Sequence, residues 1–386
     1  MKQNFLASLR KELENSFGRK IISSRDCIQL VEDIYKKTGE TVNANTLRRF
    51  FGLVRADYPP SSSTLTILSR YCGFNSMHEI EEISSNENPE ANVSKEEVLR
   101  YMVALFKHTQ VVGNEEKTFF PLVEQTMIFL ERNPTLIDKF QREIAKTSTG
   151  QFYYYEKLAN IDRLNGYYGD GLRHYLRSKS NEEGKIFAHA MQIFRYWLTK
   201  NKEQLIEHMT EITTIEPPPN CPDHILGRLI AAKLYYANVK NESIDKILSE
   251  AKRYHAGIIA SREDSPFSFP DFELIIGEAL LLTGNYDEGR EYIGHGKTFL
   301  AVSGQDKNTL FNLWEDFINR KKSMLVKRRE GDADKSSYYN SFSRKYTTII
   351  KLVTEKGSRT KSVARADQLA ELIKETGFKR FVTLPV

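Results

Sequence analysis

Short helical segments with their own capping residues fill the stretch from Ser24 to Ser84, which favours a small all-helical domain there. Serines precede a charged first turn, after which apolar residues recur at the spacing of one helix face: Cys27, Ile28, Leu30, Val31 and Ile34. This pattern predicts a helix with a serine N-cap, ended by Gly39.

Further short helices are predicted on both sides of this one. The segment from Val42 to Gly52 predicts a helix capped by Asn43 or Asn45, and the segment from Ser61 to Cys72 predicts another. A last short helix is expected over residues 76–83.

An amphipathic helix is predicted at the start of the chain. Residues 4–17 place Leu9, Leu13 and Phe17 on one apolar stripe, and Gly18 ends the pattern. This helix should pack on the others and complete a domain of about five helices within residues 1–84.

The order of residues in the two middle helices resembles the helix-turn-helix domains of repressor-type bacterial regulators. Thr-Leu-Arg-Arg (residues 46–49) stands in the first helix, and Pro-Ser-x-x-Thr-Leu (residues 60–65) opens the second, which ends at Gly73. The whole chain is similar to bacterial proteins that join such a domain to tetratricopeptide-like helical repeats. It departs from the usual pattern in the long connection from Lys36 to Val42. The resemblance implies a domain that binds duplex DNA and controls transcription.

In domains of this kind one recognition helix enters the major groove, and here the candidate is the helix after Val42, which carries Thr-Leu-Arg-Arg. Asparagine pairs with adenine and arginine with guanine, so four residues in its first turns are candidates for contacts with base edges: Asn43, Ala44, Asn45 and Arg48. Leu47, Phe50 and Phe51 are expected to form its buried back.

Six residues are candidates for phosphate contacts, the serines because they begin a helix whose free amides favour anions: Arg49, Arg55, Tyr58, Ser61, Ser62 and Arg70. The alternative is a helical domain whose arginines are merely exposed to solvent and which binds protein.

Residues 85–92 are polar and are expected to form a linker to a second helical domain, residues 93–320. A capping box at Ser94 begins that domain. Residues 158–175 and 276–292 align as an apolar helix, a Gly-x-Tyr turn and a small residue, Gly171 or Gly289, where two helices must approach closely. This looks like the tetratricopeptide hairpin, and a generic right-handed helical array is the alternative.

Such arrays present concave surfaces to peptides, proteins or small ligands. Several tyrosines could supply aromatic groups to that surface, although most are expected to be packing residues: Tyr153, Tyr154, Tyr155, Tyr167, Tyr168, Tyr235 and Tyr236. A protein or peptide partner is expected for the array, and no ligand is assigned.

The region from 321 to 386 is basic, with 17 Lys and Arg against 7 Asp and Glu over residues 320–386. Residues 338–354 suit a helix or a strand, and a shared apolar face favours the helix: Phe342, Tyr346, Ile349, Ile350 and Val353. A further helix is expected over residues 365–376, with five residues inside: Ala366, Leu369, Ala370, Leu372 and Ile373. Both ends of the chain are basic, so a polyanion would meet the ends; the alternative is a region that only aids solubility.

Composition argues against several classes of protein. No run approaches the roughly 20 apolar residues that a membrane span needs, and the first residues lack a secretion signal. Cys27, Cys72 and Cys221 lie too far apart for a zinc knuckle or a disulfide framework. Metalloprotease, P-loop and nucleophile-elbow motifs are also missing. We therefore expect a cytoplasmic, non-enzymatic protein with no catalytic site, metal, cofactor or membrane partner.

The sequence thus predicts an all-α chain in which an N-terminal helix-turn-helix domain precedes a tetratricopeptide-like helical-hairpin array. The expected function is sequence-selective binding of double-stranded DNA to regulate transcription, with the array mediating dimerisation or sensing a partner or ligand. A homodimer is expected because palindromic sites require one. The alternative is a protein-interaction adaptor built on helical repeats.

Overall fold

The computed structural model describes residues 2–55, 60–74, 94–109, 116–262, 269–302, 309–321, 342–354 and 359–382. Every regular element within these ranges is a helix, which confirms the all-α prediction. The chain divides into two compact units, Met1–Val98 and Leu99–Val386. The helix expected over 76–83 and the expected linker lie outside the described residues.

The described helices of the first unit are α1 (Lys2–Phe17), α2 (Ser24–Thr38), α3 (Ala44–Phe50) and α4 (Ser62–Tyr71). Helix α5 (Lys95–His108) crosses the boundary between the units. The second unit continues with α6 (Glu116–Arg132), α7 (Ile137–Ile144), α8 (Tyr167–Ser178), α9 (Glu182–Thr199), α10 (Lys202–Thr213), α11 (Asp223–Lys240), α12 (Asp245–Arg262), α13 (Asp271–Leu282), α14 (Tyr286–Val302), α15 (Thr309–Lys321), α16 (Arg344–Thr354) and α17 (Arg359–Thr376).

The core of the first unit receives side chains from each of its described helices. Its fully buried members include Leu9, Leu13, Leu30, Ile34, Leu47 and Leu68. The helix ends follow the capping residues of the sequence: Ser23 forms a capping box with Asp26, and Gly39 ends α2 in the left-handed conformation, with φ of 72°. Caps therefore define where these short helices begin and end, and the core defines which face they bury.

Aromatic side chains fill the beginning of the second unit. A π-helix, Gly150–Lys157, contributes three buried tyrosines, of which Tyr155 donates a hydrogen bond of 3.0 Å to the Gln141 carbonyl. Of the tyrosines considered for the concave surface, five are buried: Tyr153, Tyr154, Tyr155, Tyr168 and Tyr235. The expectation that most of them are packing residues is confirmed.

Helical hairpins follow one another in the second unit: α9 with α10, α11 with α12, and α13 with α14. Their first helices, α9, α11 and α13, lie side by side. Glycine permits the closest approaches. A Cβ atom on Gly289 would lie 2.8 Å from the Leu281 side chain, and one on Gly171 would lie 2.4 Å from the Gln141 side chain. Both small residues therefore lie where helices approach closely, as the sequence predicted.

Helix α16 is held in the second unit by polar contacts at its beginning. The Asp162 carboxylate accepts hydrogen bonds of 2.9 Å from the backbone N–H groups of Lys345 and Tyr346. The Tyr346 hydroxyl donates to Glu278 in α13. All five residues predicted for the inner face of this segment are buried, so the helical interpretation is confirmed from Arg344 to Thr354.

Helix α17 is more exposed than the sequence predicted. Ala366 and Ala370 are exposed, and the three other predicted inward residues are only partly buried. The reason lies after the helix, where the chain turns at Gly377 and buries Phe378 and Phe381. These two rings, rather than the apolar stripe of α17, make the main apolar contact with the unit.

A buried charge network joins three helices of the hairpins. Glu273, only 1% exposed, lies 2.9 Å from His255 Nε2 and accepts a 2.9 Å hydrogen bond from Arg262, which also donates to Asp223 at 3.2 Å. Burial alone raises the pKa of Glu273, but the hydrogen bonds from His255 and Arg262 outweigh burial and lower the pKa to about 2.

Two glycines of α14 should respond in opposite ways to alanine. A Cβ atom at Gly296 would lie 2.4 Å from the Phe311 ring, whereas one at Gly294 meets nothing within 4 Å. We expect Gly296→Ala to lower the free energy of unfolding by about 1–3 kcal/mol through overpacking. Gly294→Ala should raise it by about 0.5–1 kcal/mol, since alanine has less backbone freedom to lose. Urea unfolding measures both, and equal stabilities would contradict the packing of α14 on α15.

The charge of Glu273 should make stability depend on pH in the acid range. Its folded pKa of about 2 lies below the ordinary value of 4.5, so its contribution is complete above pH 4.5 and is lost as pH falls towards 2. At about 1.4 kcal/mol per pKa unit, the loss is about 3 kcal/mol. Glu273→Gln should flatten the fall in unfolding free energy between pH 5 and pH 2.

Exposed Glu242 provides the matched control. Glu242→Gln should retain the acid dependence of the wild-type protein in urea unfolding at each pH. If Glu273→Gln shows the same dependence as Glu242→Gln, the carboxylate of Glu273 does not hold its charge in the fold.

Candidate nucleic-acid interface

Helix α3 is fixed to the first unit by its inward side. Leu47 and Phe50 are 0% and 2% exposed, and Phe51 packs edge-on against Phe50 with ring centroids 5.2 Å apart. Asn43 caps the helix: its side chain accepts a 2.8 Å hydrogen bond from the Asn45 backbone N–H. The predicted cap is therefore Asn43 rather than Asn45. Gly52, with φ of 73°, ends the helix.

The outward side of α3 presents an asparagine and an arginine that contact each other. Arg48 Nη1 donates a 2.9 Å hydrogen bond to Asn45 Oδ1, and both side chains border solvent. Arg48 is half-buried, and its Nε is buried with no hydrogen-bond partner among the described residues. The contact therefore holds the guanidinium of Arg48 beside the carboxamide of Asn45.

The four candidates for base contacts lie together on the first turns of α3. Asn43 and Asn45 are exposed, and Ala44 and Arg48 are partly buried. Among them, Asn43 also has a structural task because its carboxamide oxygen is the helix cap. The side chains of Asn45 and Arg48, by contrast, hydrogen-bond to each other.

The candidates for phosphate contacts occupy several places. Arg49 and Arg55 are exposed and form no ion pair with a described residue. Ser61 caps α4, with its Oγ accepting from the Thr64 backbone N–H at 3.3 Å. Ser62 contributes the first residue of α4, and Tyr58 lies outside the described residues.

Arg70, near the end of α4, forms an ion pair with Glu40, with 3.1 Å between Nη1 and Oε1. Its side chain is 56% exposed, so the pair is a surface contact. The guanidinium therefore already has an anionic partner, unlike those of Arg49 and Arg55.

Other polar residues of the first unit support the position of α3 without having been singled out from the sequence. The Arg10 guanidinium lies 5.4 Å from the centre of the Phe50 ring. Tyr71 in α4 donates its hydroxyl to Asp33 in α2, a bond that lowers the pKa of Asp33. Lys37 lies 3.4 Å from the same carboxylate. The i,i+4 spacing of Asp33 and Lys37 is the sequence signal that could have indicated their ion pair.

Within the described ranges, no helix has both the length and the apolar character that crossing a membrane requires. The same ranges contain no group of three or more His, Cys, Asp and Glu side chains placed to hold a metal ion. Comparison of the chain with models of known protein families, with curated proteins and with solved structures found no significant match.

Two asparagines of α3 should differ in their effect on stability. Asn43→Ala removes the cap of α3, so we expect it to lower the free energy of unfolding by about 1 kcal/mol. Asn45→Ala removes only a surface contact to Arg48 and should change stability by less than about 0.5 kcal/mol. Thermal and urea unfolding of the two variants measure the difference. Equal losses would mean that the Asn45 contact, rather than the cap, stabilises α3.

Proposed function

We propose that the first unit is a helix-turn-helix domain that inserts α3 into the major groove of duplex DNA, and that the chain is a sequence-selective transcriptional regulator. One observation carries this proposal: the Asn45–Arg48 pair lies on the outward side of a helix whose inward side, Leu47 and Phe50, is fixed in the core. A recognition helix requires this division between a rigid back and a polar front.

The chemistry of the pair suits base edges in the major groove. An arginine fork donates to O6 and N7 of guanine, and an asparagine carboxamide both accepts from and donates to adenine. The hydrogen bond between Asn45 and Arg48 uses one of the five guanidinium N–H groups and leaves the Asn45 amide group as a donor. Because the two side chains are already ordered, less conformational entropy is lost when they bind DNA.

Exposed arginines next to α3 provide the charge for the phosphate backbone. Arg49 follows Arg48 on the helix, and Arg55 lies just after it. Neither forms an ion pair with a described residue, so each can meet a phosphate without breaking an internal contact. Arg70 must first give up or share its contact with Glu40.

The hairpins of the second unit support the remaining part of the proposal, a tetratricopeptide-like array. Their first helices lie side by side, and glycines admit the neighbouring helices, as in stacked helical repeats. In this proposal the array mediates the homodimer that a palindromic site requires, or senses a protein partner or a ligand. No residue is assigned a catalytic role.

Capture of genomic DNA tests the proposal first. The full chain, incubated with fragmented DNA from its own source, should retain fragments that share a sequence motif. Its affinity for that motif should fall steeply as salt increases, because phosphate contacts release counterions. Retention without a shared motif, or no retention at physiological salt, would contradict the regulator and leave the adaptor as the better proposal.

Substitutions of two arginines should separate base contacts from phosphate contacts. Arg48→Gln should weaken binding to the retained motif by about 10-fold or more and reduce its preference over other sequences. Arg55→Gln should weaken binding to all sequences by a similar factor and lower the salt slope by about 1. The exposed Arg253, in α12 of the second unit, supplies the control Arg253→Gln. Binding unchanged by both first-unit substitutions would refute the docking of α3.

A further inference from the structure

A cavity of about 90 Å³ lies in the second unit, partly open to solvent. Its walls come from the end of the π-helix, from α11, α13 and α15, and from the segment that begins α16. Its lining includes the apolar residues Leu313, Trp314 and Phe342 together with several charged residues. Pockets that combine an apolar wall with a few convergent polar groups are the usual form of small-molecule sites.

Most charges in the wall of the cavity have partners within the protein. Lys157 lies 2.6 Å from Asp271. Glu156, which is buried, accepts hydrogen bonds from Lys179 at 2.8 Å and from Tyr175 at 2.7 Å, and lies 3.1 Å from His224. These groups therefore neutralise one another and leave no charge of their own for a ligand.

Arg228 is the exception among these cavity residues. It lies one helical turn after His224 on α11, is half-buried, and has no hydrogen bond or ion pair with any described residue. Its guanidinium carbon lies 5.9 Å from the centre of the Phe194 ring. A guanidinium does not lose its proton in a protein. Its charge and its five donors are therefore available to an acceptor that enters the cavity.

Glu278 is a carboxylate of the same cavity that could balance this charge, and its side chain has another partner. It accepts the hydroxyl of Tyr346, it is only 9% exposed, and no ion pair joins it to Arg228. Burial raises its pKa, an effect only partly offset by Arg228 and Tyr346. Among the described residues, Arg228 is therefore left without a carboxylate in hydrogen-bonding contact.

The backbone at the cavity supports an interpretation beyond packing. Glu156 and Lys157 are the last residues of the π-helix Gly150–Lys157, and both line the cavity. π-Helical turns are rare and occur frequently at functional sites. Gly150 makes this one feasible, because a Cβ atom there would lie 2.2 Å from the Ile144 carbonyl oxygen.

We propose that this cavity binds a short-chain aliphatic carboxylate, with the carboxylate group on Arg228 and the carbon chain against Leu313, Trp314 and Phe342. Arginine and a carboxylate form two parallel, charge-assisted hydrogen bonds, which are about twice as strong as hydrogen bonds between neutral groups. The volume sets the size: a 150 Å³ cavity holds benzene, so 90 Å³ holds about four non-hydrogen atoms, with one or two more at the opening. Propionate and butyrate match this size.

Isothermal titration of the full chain with molecules of one size and different charge tests the proposal. Propionate and butyrate should bind in a saturable manner, whereas propionamide, propylamine and inorganic phosphate should bind at least 10-fold more weakly. Trp314, one of two tryptophans in the chain, should report the same binding through its fluorescence. Equal binding of propionamide, or binding of propylamine or phosphate alone, would overturn the proposal. The titration contains no DNA, so its outcome is independent of the proposed regulator.

Variants identify the group that binds the carboxylate. Arg228→Gln should reduce propionate affinity at least 10-fold, and Arg228→Lys should reduce it less, because the charge remains while the fork is lost. The control Arg253→Gln alters an exposed arginine and should bind propionate like the wild-type protein. Unchanged affinity in Arg228→Gln would overturn the proposal. If that variant does not fold, Arg228→Lys and the ligand series on the wild-type protein decide the question.

Discussion

The need to pair buried charges determines how the helices of the second unit are joined. Removing a charge from water costs several kcal/mol unless an opposite charge and hydrogen bonds replace the water. Glu273 meets this need with Arg262 and His255, and Glu156 meets it with Lys179 and Tyr175. Each network links residues of different elements, so these elements cannot shift against one another without leaving a charge unpaired.

The same requirement explains why α16 belongs to this unit. Asp162 accepts from two backbone N–H groups at the beginning of α16, and Tyr346 donates to Glu278. The contacts join residues 68 to 184 positions apart in the chain. A segment that is basic in composition is thus attached through acidic side chains on earlier elements. The net charge of the segment therefore does not indicate how the segment is attached to the unit.

The sequence predicted local features well because local rules are short-ranged. Ser23 and Gly39 mark the ends of α2, and a helical period marked the inner face of α16, because caps and periods involve residues within a few positions. Long-range partners leave no such signal. The period of α17 suggested an apolar face, yet Ala366 is exposed because the chain after the helix supplies Phe378 and Phe381 to the same unit.

In the candidate interface, too, the sequence predicts local features but not the contacts between distant residues. Residue type and spacing were enough to select Asn45 and Arg48, since both lie on one side of a short helix. The hydrogen bond between them, the partial burial of Arg48 and the ion pair of Arg70 with Glu40 depend on rotamers and on neighbouring helices. These features distinguish arginines without an acidic partner among the described residues from one that has such a partner, and a sequence pattern carries no information about them.

Arginines that lack an acidic partner connect the two proposals physically. The guanidinium of Arg262 has a structural role, and it donates hydrogen bonds to the carboxylates of Glu273 and Asp223. Arg48 and Arg228 are half-buried and have no such carboxylates among the described residues. A partly desolvated charge that cannot be neutralised gains most from an acceptor supplied by another molecule. Arg48 stands on an open helix face, which admits a surface as large as a DNA groove. Arg228 faces a cavity of about 90 Å³, which admits only a small anion. The shape around each guanidinium therefore sets the size of its partner.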